Sequence, residues 1–342
     1  MDHYAGIDVS LECSSVCIVD ANGKIVREGK VASEPDALIG WLTSVGYELS
    51  RIGLEAGPLS QWLFAAMREA GLAVELLETR HVRKAFEAMP VKSDRNDARG
   101  IAQLMRLGWF RPVHCKSIGA QETRAVLTAR KLVQSKLRDI ENHLRGILRG
   151  FGLKVGKTTN PSFGMRIREL VANHANLEMI AEGLLSVHAV LLREFKVFEK
   201  QVRSMARSDA KARLLMSTPA VGPIVALTYA SAIDDPARFK SSKRVGAHFG
   251  LTPKKYQSGE TDYTGRISKI GDGSVRTVLY EAAHIMLTKP VKGCSALKSW
   301  AMRIARRAGM SKAKVALARK LAVILHRMLV NRTPFNAAAA AA

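Results

Sequence analysis

Four acidic residues in the first hundred positions are hard to explain as ordinary surface charges. Asp8 closes an apolar run in AGIDVS, Glu55 closes another in IGLEAG, and Asp94 and Asp97 stand three residues apart in VKSDRNDARGIA. Helical spacing puts the last two on one face, where like charges repel unless a cation lies between them. One reading of that pair is a solvated helix start, with Asp94 in the first turn where the helix dipole favours an anion. The other is a bound metal ion. Burying an unpaired strand-end carboxylate is costly, so Asp8 and Glu55 favour the second reading. Four carboxylates converging from adjacent strands and a nearby helix form an all-oxygen donor set suited to Mg2+ or Mn2+. Two such ions about 4 Å apart can activate the attacking oxygen of a phosphodiester cleavage and stabilise the leaving one.

The elements that must position these acids are legible around them. HYAGIDVS, SSVCIVDANGKIV and GKVAS read as successive strands, with Asn-Gly in the DANGK turn. LIGWLTSVG reads as a short helix and RIGLEAGP as a buried strand. LSQWLFAAMREAG is then a helix with Leu59, Leu63 and Met67 on one face and Gly71 as its stop, before a last strand, LAVELLET. Three strands, helix, strand, helix, strand predicts an α/β layer with an antiparallel start. An acid in the first strand, another in a later strand and a helical pair is the order of an RNase H-like nuclease. Sugar-kinase and actin-type ATPases begin with a similar strand and hairpin, but they need a later Asp-Gly-Gly-type phosphate turn that this chain lacks.

The middle of the chain is predicted to be helical. Val133, Leu137, Ile140, Leu144 and Ile147 step as a heptad seam, and GFGLKVGKTTNPSFG interrupts it. Leu170, Leu177, Leu184, Leu191, Phe198 and Met205 recur at every seventh position, which predicts a coiled coil. In the last third, PAVGPIVA has the Gly222 turn and apolar helix of a helix-hairpin-helix element, whose turn amides can bind phosphate. An ordinary helix start with Pro223 in its first turn is the alternative. A Gly-rich basic stretch follows, and then two basic helices carrying Arg303, Arg306 and Arg307, then Lys312, Lys314, Arg319 and Lys320.

Charge is distributed unevenly. The net charge is +23 over 342 residues, yet residues 1–90 carry 8 Lys and Arg against 13 Asp and Glu. After Glu281 there are 12 Lys and Arg and no acid at all. This asymmetry predicts a polyanionic partner. An anionic membrane is disfavoured, because no apolar run is read as long enough to span and the basic helices carry few interfacial aromatics. Cys13, Cys17, Cys115 and Cys294 show no paired ligand spacing and fit a reducing cytoplasm. Cys13 and Cys17 are expected to pack as small apolar residues in or beside a strand.

GIDVS, GLEAGP and KSDRNDARGIA resemble the DEDD motif of the insertion sequence 110 family of transposases. STPAVGPIVALTYASAI, FGLTPKKYQSGE and GRISKIGDGSVRTVLYEAA resemble that family's C-terminal transposase domain, so the likeness runs from about Tyr4 to Phe335. The resemblance implies an α/β RNase H/RuvC-like nuclease domain over 1–117 and a helical coiled-coil segment over 118–207. It further implies a mainly α transposase domain over 208–335, ahead of an Ala-rich tail at 336–342. Asp8, Glu55, Asp94 and Asp97 match the four DEDD acids, and Ser258 matches the family's serine nucleophile. From the residues alone Ser258 is an unremarkable turn serine before glycine, and a serine hydroxyl needs activation; Tyr256 and Tyr263 are lower-ranked alternative nucleophiles. The glutamate often seen before that serine is Gln257 here.

The resemblance also implies a division of labour. A non-coding guide RNA encoded by the element pairs with donor and target DNA, and the protein holds backbone and shape. Gly222, Lys254, Lys255, Arg266 and Lys269, with Arg303, Arg306, Arg307, Lys312 and Lys314, are then the expected nucleic-acid contacts. Recombination joins two duplexes, so a homo-oligomer, dimer or tetramer, is expected, in the cytoplasm of a prokaryote and associated with its nucleoid. Two rivals stay open on the residues. One is a metal-dependent RuvC-like junction nuclease that uses water. The other is a non-enzymatic nucleic-acid-binding protein whose acids are structural.

Overall fold

Alternating apolar residues near the N-terminus become a five-stranded sheet in the computed structural model, which describes residues 2–87 and 91–338. The strands are β1 (His3–Asp8), β2 (Cys13–Asp20), β3 (Ile25–Ala32), β4 (Leu49–Glu55) and β5 (Val74–Leu77). Their order across the sheet is β3-β2-β1-β4-β5. β2 runs antiparallel to both β1 and β3, while β1, β4 and β5 are parallel. This is the RNase H/RuvC-like α/β arrangement. The two-residue period of a strand sends alternate side chains to opposite faces. Ala5, Ile7, Ile52 and Leu54 therefore join the apolar layer under α1 (Pro35–Thr43) and α2 (Ser60–Glu69). Tyr4, Cys17 and Val19 face α4 (Asp94–Leu107). Cys17 is buried as expected, whereas Cys13 is exposed at the start of its strand. A short helix, α3 (Thr79–Phe86), follows β5 in a stretch without a readable apolar period.

The chain divides into two compact units, Met1–Lys116 and Ser117–Ala342. In the second, α5 (Ile118–Gly150) packs along α7 (Ala175–Ser208), with α6 (Asn160–Val171) against them. Leu144, Leu148, Phe163, Ile167, Leu177, Ala181 and Leu185 form their shared core. The expected seven-residue repeat is corrected here. Leu170 belongs to α6, and the chain breaks at Ala172–His174, with Asn173 at φ 72°, before α7 starts. On α7 the residues buried against the pair are Leu177, Ala181, Leu185, His188, Val202 and Ala206, while Leu184, Leu191, Phe198 and Met205 lie half-buried along the edge. Register comes partly from polar pairs. Arg130 of α5 bonds Glu199 of α7, and buried His188 Nε2 lies 3.0 Å from Glu141 Oε1. The expectation that no run is long enough to span a membrane is also corrected: α7 is long and apolar enough to do so by length and composition. Here it is a helix packed on α5 along one face.

The remaining helices form a second core. They are α8 (Ala210–Met216), α9 (Pro223–Ile233), α10 (Val245–His248), α11 (Gly273–Thr288), α12 (Ser295–Ala308) and α13 (Met310–Asn331). Fully buried Tyr229 and Phe249 pack within it, and the Tyr229 hydroxyl donates to the Ala322 carbonyl at 2.5 Å. The Gly222 turn lies between α8 and α9, with Gly222 the N-cap and Pro223 the first residue of α9. The Gly-rich basic stretch forms a β-hairpin, β6 (Pro253–Ser258) and β7 (Thr261–Ile267). Of the Ala-rich tail, residues 339–342 lie outside the described residues.

Candidate active site

Asp8 and Glu55 end neighbouring parallel strands. Gly6 pairs with Gly53 and Ile7 with Leu54 across β1 and β4, so the two acids follow in step. Each acid lies two residues beyond a glycine, on the same face of the sheet. That face receives α4. A Cβ on Gly6 would stand 2.2 Å from the Ala98 carbonyl oxygen and 2.3 Å from the Ala102 nitrogen, so only glycine admits the helix backbone there. A Cβ on Gly53 would meet Ile101 at 2.6 Å and Met105 at 2.8 Å. Ser93 caps the helix, its hydroxyl accepting from the Asn96 amide at 3.3 Å, and Asp94 and Asp97 occupy the first turn. The two glycines thus draw down the helix whose acidic end reaches the acidic strand ends.

The acids at the strand ends feel those of the helix. Asp8 is pushed up to about 6, first by burial, then by repulsion from Asp97 and Asp94, with Lys92 opposing. Glu55 is raised by burial, then by Asp8 and Asp97, with Lys92 and a hydrogen bond from Thr79 opposing. The two arginines beside the acids on α4 do not relieve this repulsion. Arg95 and Arg99 both turn to Glu28 of β3, with Arg95 Nε and Arg99 Nη2 each donating at 2.9 Å. The hydrogen bonds from Arg99, followed by those from Arg95, hold Glu28 down at about 2. Sequence reading missed both Glu28 and Lys92: one removes positive charge from the acids and the other supplies it.

Ser258 lies in the second unit, exposed at the last position of β6 and paired with Thr261. Gly259 and Glu260 form a two-residue turn, and Gly259 has φ +54°, matching the turns that follow the twist of a hairpin. Tyr256 pairs with Tyr263 two residues back, their rings stacked 5.3 Å apart and more than half exposed. Neighbours in IGDGSVR anchor the hairpin's root. A Cβ on Gly271 would lie 2.1 Å from the His248 carbonyl oxygen. Arg276 Nη1 donates to the carbonyls of Phe249, Ile270 and Gly271 at 3.1, 2.8 and 3.0 Å. Asp272 caps α11 and pairs with Arg124 of α5 at 2.6 Å.

Residues 5–152 match a transposase model for IS110 elements of the DEDD type, and residues 212–295 match one described as Transposase IS116/IS110/IS902 family. The chain belongs to the IS110 family of transposases. It is 26% identical over 98% of its length to the transposase for insertion sequence element IS1111A of Coxiella burnetii, covering 91% of that protein. It is 25% identical over 83% of its length to a probable family 20 transposase of Pseudomonas aeruginosa, covering 85% of it. Among solved structures, Thermus thermophilus RuvC in complex with a Holliday junction substrate aligns over 33% of this chain and 100% of its own, at 16% identity and a TM-score of 0.25.

In this transposase the donor chemistry at the strand ends fits a hard divalent cation, because all four groups are carboxylates and their mutual repulsion is what such an ion relieves. Among the described residues no group of three or more His, Cys, Asp or Glu is gathered to metal-holding spacing. The four acids therefore face one another more loosely than a closed coordination shell requires. The expected nucleic-acid residues fall in several places. Lys254 and Lys255 ride on β6, and Lys255 reaches Asp262 at 3.2 Å. Arg303, Arg306 and Arg307 lie exposed on α12, and Lys314 of α13 sits 5.8 Å from the Tyr280 ring centre. Arg266, Lys269 and Lys312 line one cleft at the hairpin's root.

Proposed function

We propose that this transposase cleaves and exchanges DNA strands through a covalent phosphoserine at Ser258, assisted by Mg2+ (or Mn2+) held by Asp8, Glu55, Asp94 and Asp97. The serine oxygen attacks the scissile phosphorus as its hydroxyl proton leaves, a new ester bond forms, and the bond to the departing deoxyribose oxygen breaks as that oxygen takes up a proton. The incoming strand's hydroxyl then displaces serine, so the phosphodiester energy is kept and no ATP is consumed. A divalent ion on the carboxylates would supply charge stabilisation at the phosphoryl oxygens. The observation that carries the reading is the placing of Asp8 and Glu55 at neighbouring strand ends under the acidic first turn of α4, with Asp8 feeling Asp97 and Asp94 and Glu55 feeling Asp8 and Asp97. An exposed serine at the turn of an anchored hairpin supports the covalent step.

The same reading includes a non-coding guide RNA that pairs with donor and target DNA, supported by the acid-free basic C-terminal region. It also includes a homo-oligomer, dimer or tetramer, formed through the long helices. Met179, Val187, Val190 and Val197 of α7 leave apolar surface exposed for a second copy. The domain division at 117, 207 and 335 and a cytoplasmic, nucleoid-associated location belong to this reading as well.

The deciding experiment incubates purified protein, its copurified RNA, donor and target DNA with Mg2+, and looks for a denaturant-resistant protein–DNA adduct. Adduct and recombinants from the wild type, and neither from Ser258→Ala, are expected. Free DNA ends with no adduct would turn the reading to a water-using nuclease. Full recombination by Ser258→Ala would sink the serine mechanism.

A further inference from the structure

A large cleft in the second unit has a cavity volume of about 1090 Å3, between the root of β7 and the faces of α12 and α13. Its floor is apolar, built from Leu251, Trp300, Ile304, Val315 and Val323. Its rim carries Lys243, Arg266, Lys269, Lys312, Arg319 and Arg327, and no acidic side chain lines it among the described residues. Lys320 stands 4.8 Å from the centre of the half-buried Trp300 ring. Lys243, Arg327 and Trp300 were not among the residues the sequence pointed to.

A duplex presents its phosphates outward and hides its base faces, so it would use this rim and leave the floor uncovered. An unpaired strand presents both, with charged phosphates along its backbone and flat apolar bases free to leave the stack. Sites for single strands combine those two features, a cationic groove and apolar or aromatic platforms. The cleft also opens at the root of the hairpin whose turn carries Ser258, so a strand held at that serine can run along the hairpin into it.

We propose that this cleft seats unpaired DNA, with bases against the Trp300–Ile304–Val315 floor and phosphates on the rim. The proposal rests on the strand-exchange reading for the origin of the strand. Its test is equilibrium binding, which proceeds whether or not serine chemistry does.

The probe is a fluorescently labelled oligothymidylate of about 12 nucleotides, compared with a blunt duplex of the same length and an oligouridylate, on the full chain. Ala316→Trp from α13 and Ala308→Phe from α12 both fill the cleft without changing charge. Each is expected to weaken oligothymidylate binding by about tenfold or more while leaving duplex binding unchanged. Lys312→Gln with Arg319→Gln is expected to lower the salt slope by about 0.7 for each phosphate that is no longer neutralised. Unchanged oligothymidylate binding by both filled variants would overturn the proposal, as would an equal loss for strand and duplex. Loss confined to oligouridylate would reassign the cleft to RNA, and a changed oligomeric state with normal binding would reassign it to a protein partner.

Discussion

Gly6 and Gly53 stand in register on adjacent parallel strands, and one helix rests on both. The contact at Gly6 is to backbone, at 2.2 and 2.3 Å from an added Cβ, whereas that at Gly53 is to the Ile101 and Met105 side chains. Backbone has nowhere to move, and side chains can change rotamer. Gly6→Ala is therefore expected to cost about 3 kcal/mol or more and Gly53→Ala about 1–2 kcal/mol. Thermal melts of the two variants check this order, and equal shifts would contradict so close a docking of α4.

Asp8 titrates at about 6 in the folded protein against an ordinary 3.8, so the folded state holds its proton longer than the unfolded chain. Without divalent cation, stability should fall as pH rises from about 4 through 6 and stay low above that. Asp8→Asn removes this cost. It should stabilise the metal-free protein at pH 8 by on the order of 1–2 kcal/mol once solvent screening is allowed for, while abolishing strand cleavage. Mg2+ should raise the melting temperature of the wild type and leave Asp8→Asn nearly unmoved. An Asp8→Asn protein less stable than wild type at pH 8 would refute the account.

Glu28 keeps Arg95 and Arg99 away from the acidic cluster. Glu28→Gln frees two guanidinium groups beside Asp94 and Asp97. It should cost about 1–3 kcal/mol in stability at neutral pH and raise the Mg2+ concentration needed for half-maximal cleavage. Because Glu28 is held at about 2, below its ordinary 4.5, its contribution to stability is present above that ordinary value and is lost as pH falls through about 2. A metal titration of cleavage by wild type and variant decides the matter; identical curves would show that the arginines do not reach the acids.

Gly259 holds φ +54° in the turn beside Ser258. Gly259→Val should strain that turn by roughly 1–2 kcal/mol in a hairpin whose strands are almost wholly exposed, leaving the packed cores intact. The expected outcome is a melting temperature within a few degrees of wild type and adduct formation slowed about tenfold. Wild-type adduct rates would mean that the turn geometry does not position the serine.

Much of the first unit was legible in the sequence because strand periodicity, the Asn-Gly turn and the Gly71 helix stop are local signals. The four acids could be picked out for the same reason: each stands at the end of a readable element. What the sequence could not show is that Gly6 and Gly53 share a register, since pairing between strands far apart along the chain leaves no local trace. Nor could it show that Arg95 and Arg99, beside the acids in sequence, answer to Glu28 on another strand. The seventh-position pattern ran straight through Leu170 and Leu177 although the helix breaks between them, because periodicity counts residues and not backbone continuity. Ser258 was legible as a turn serine, but the strands on either side of it were not, because a short, exposed hairpin buries nothing and carries no apolar alternation. Composition and local pattern determined a polyanionic partner and a set of acids able to hold a metal, while the family and Ser258 came through the resemblance of whole motifs. Only tertiary packing decided which charges face one another, because at these distances repulsion and burial depend on neighbours that the chain order does not reveal.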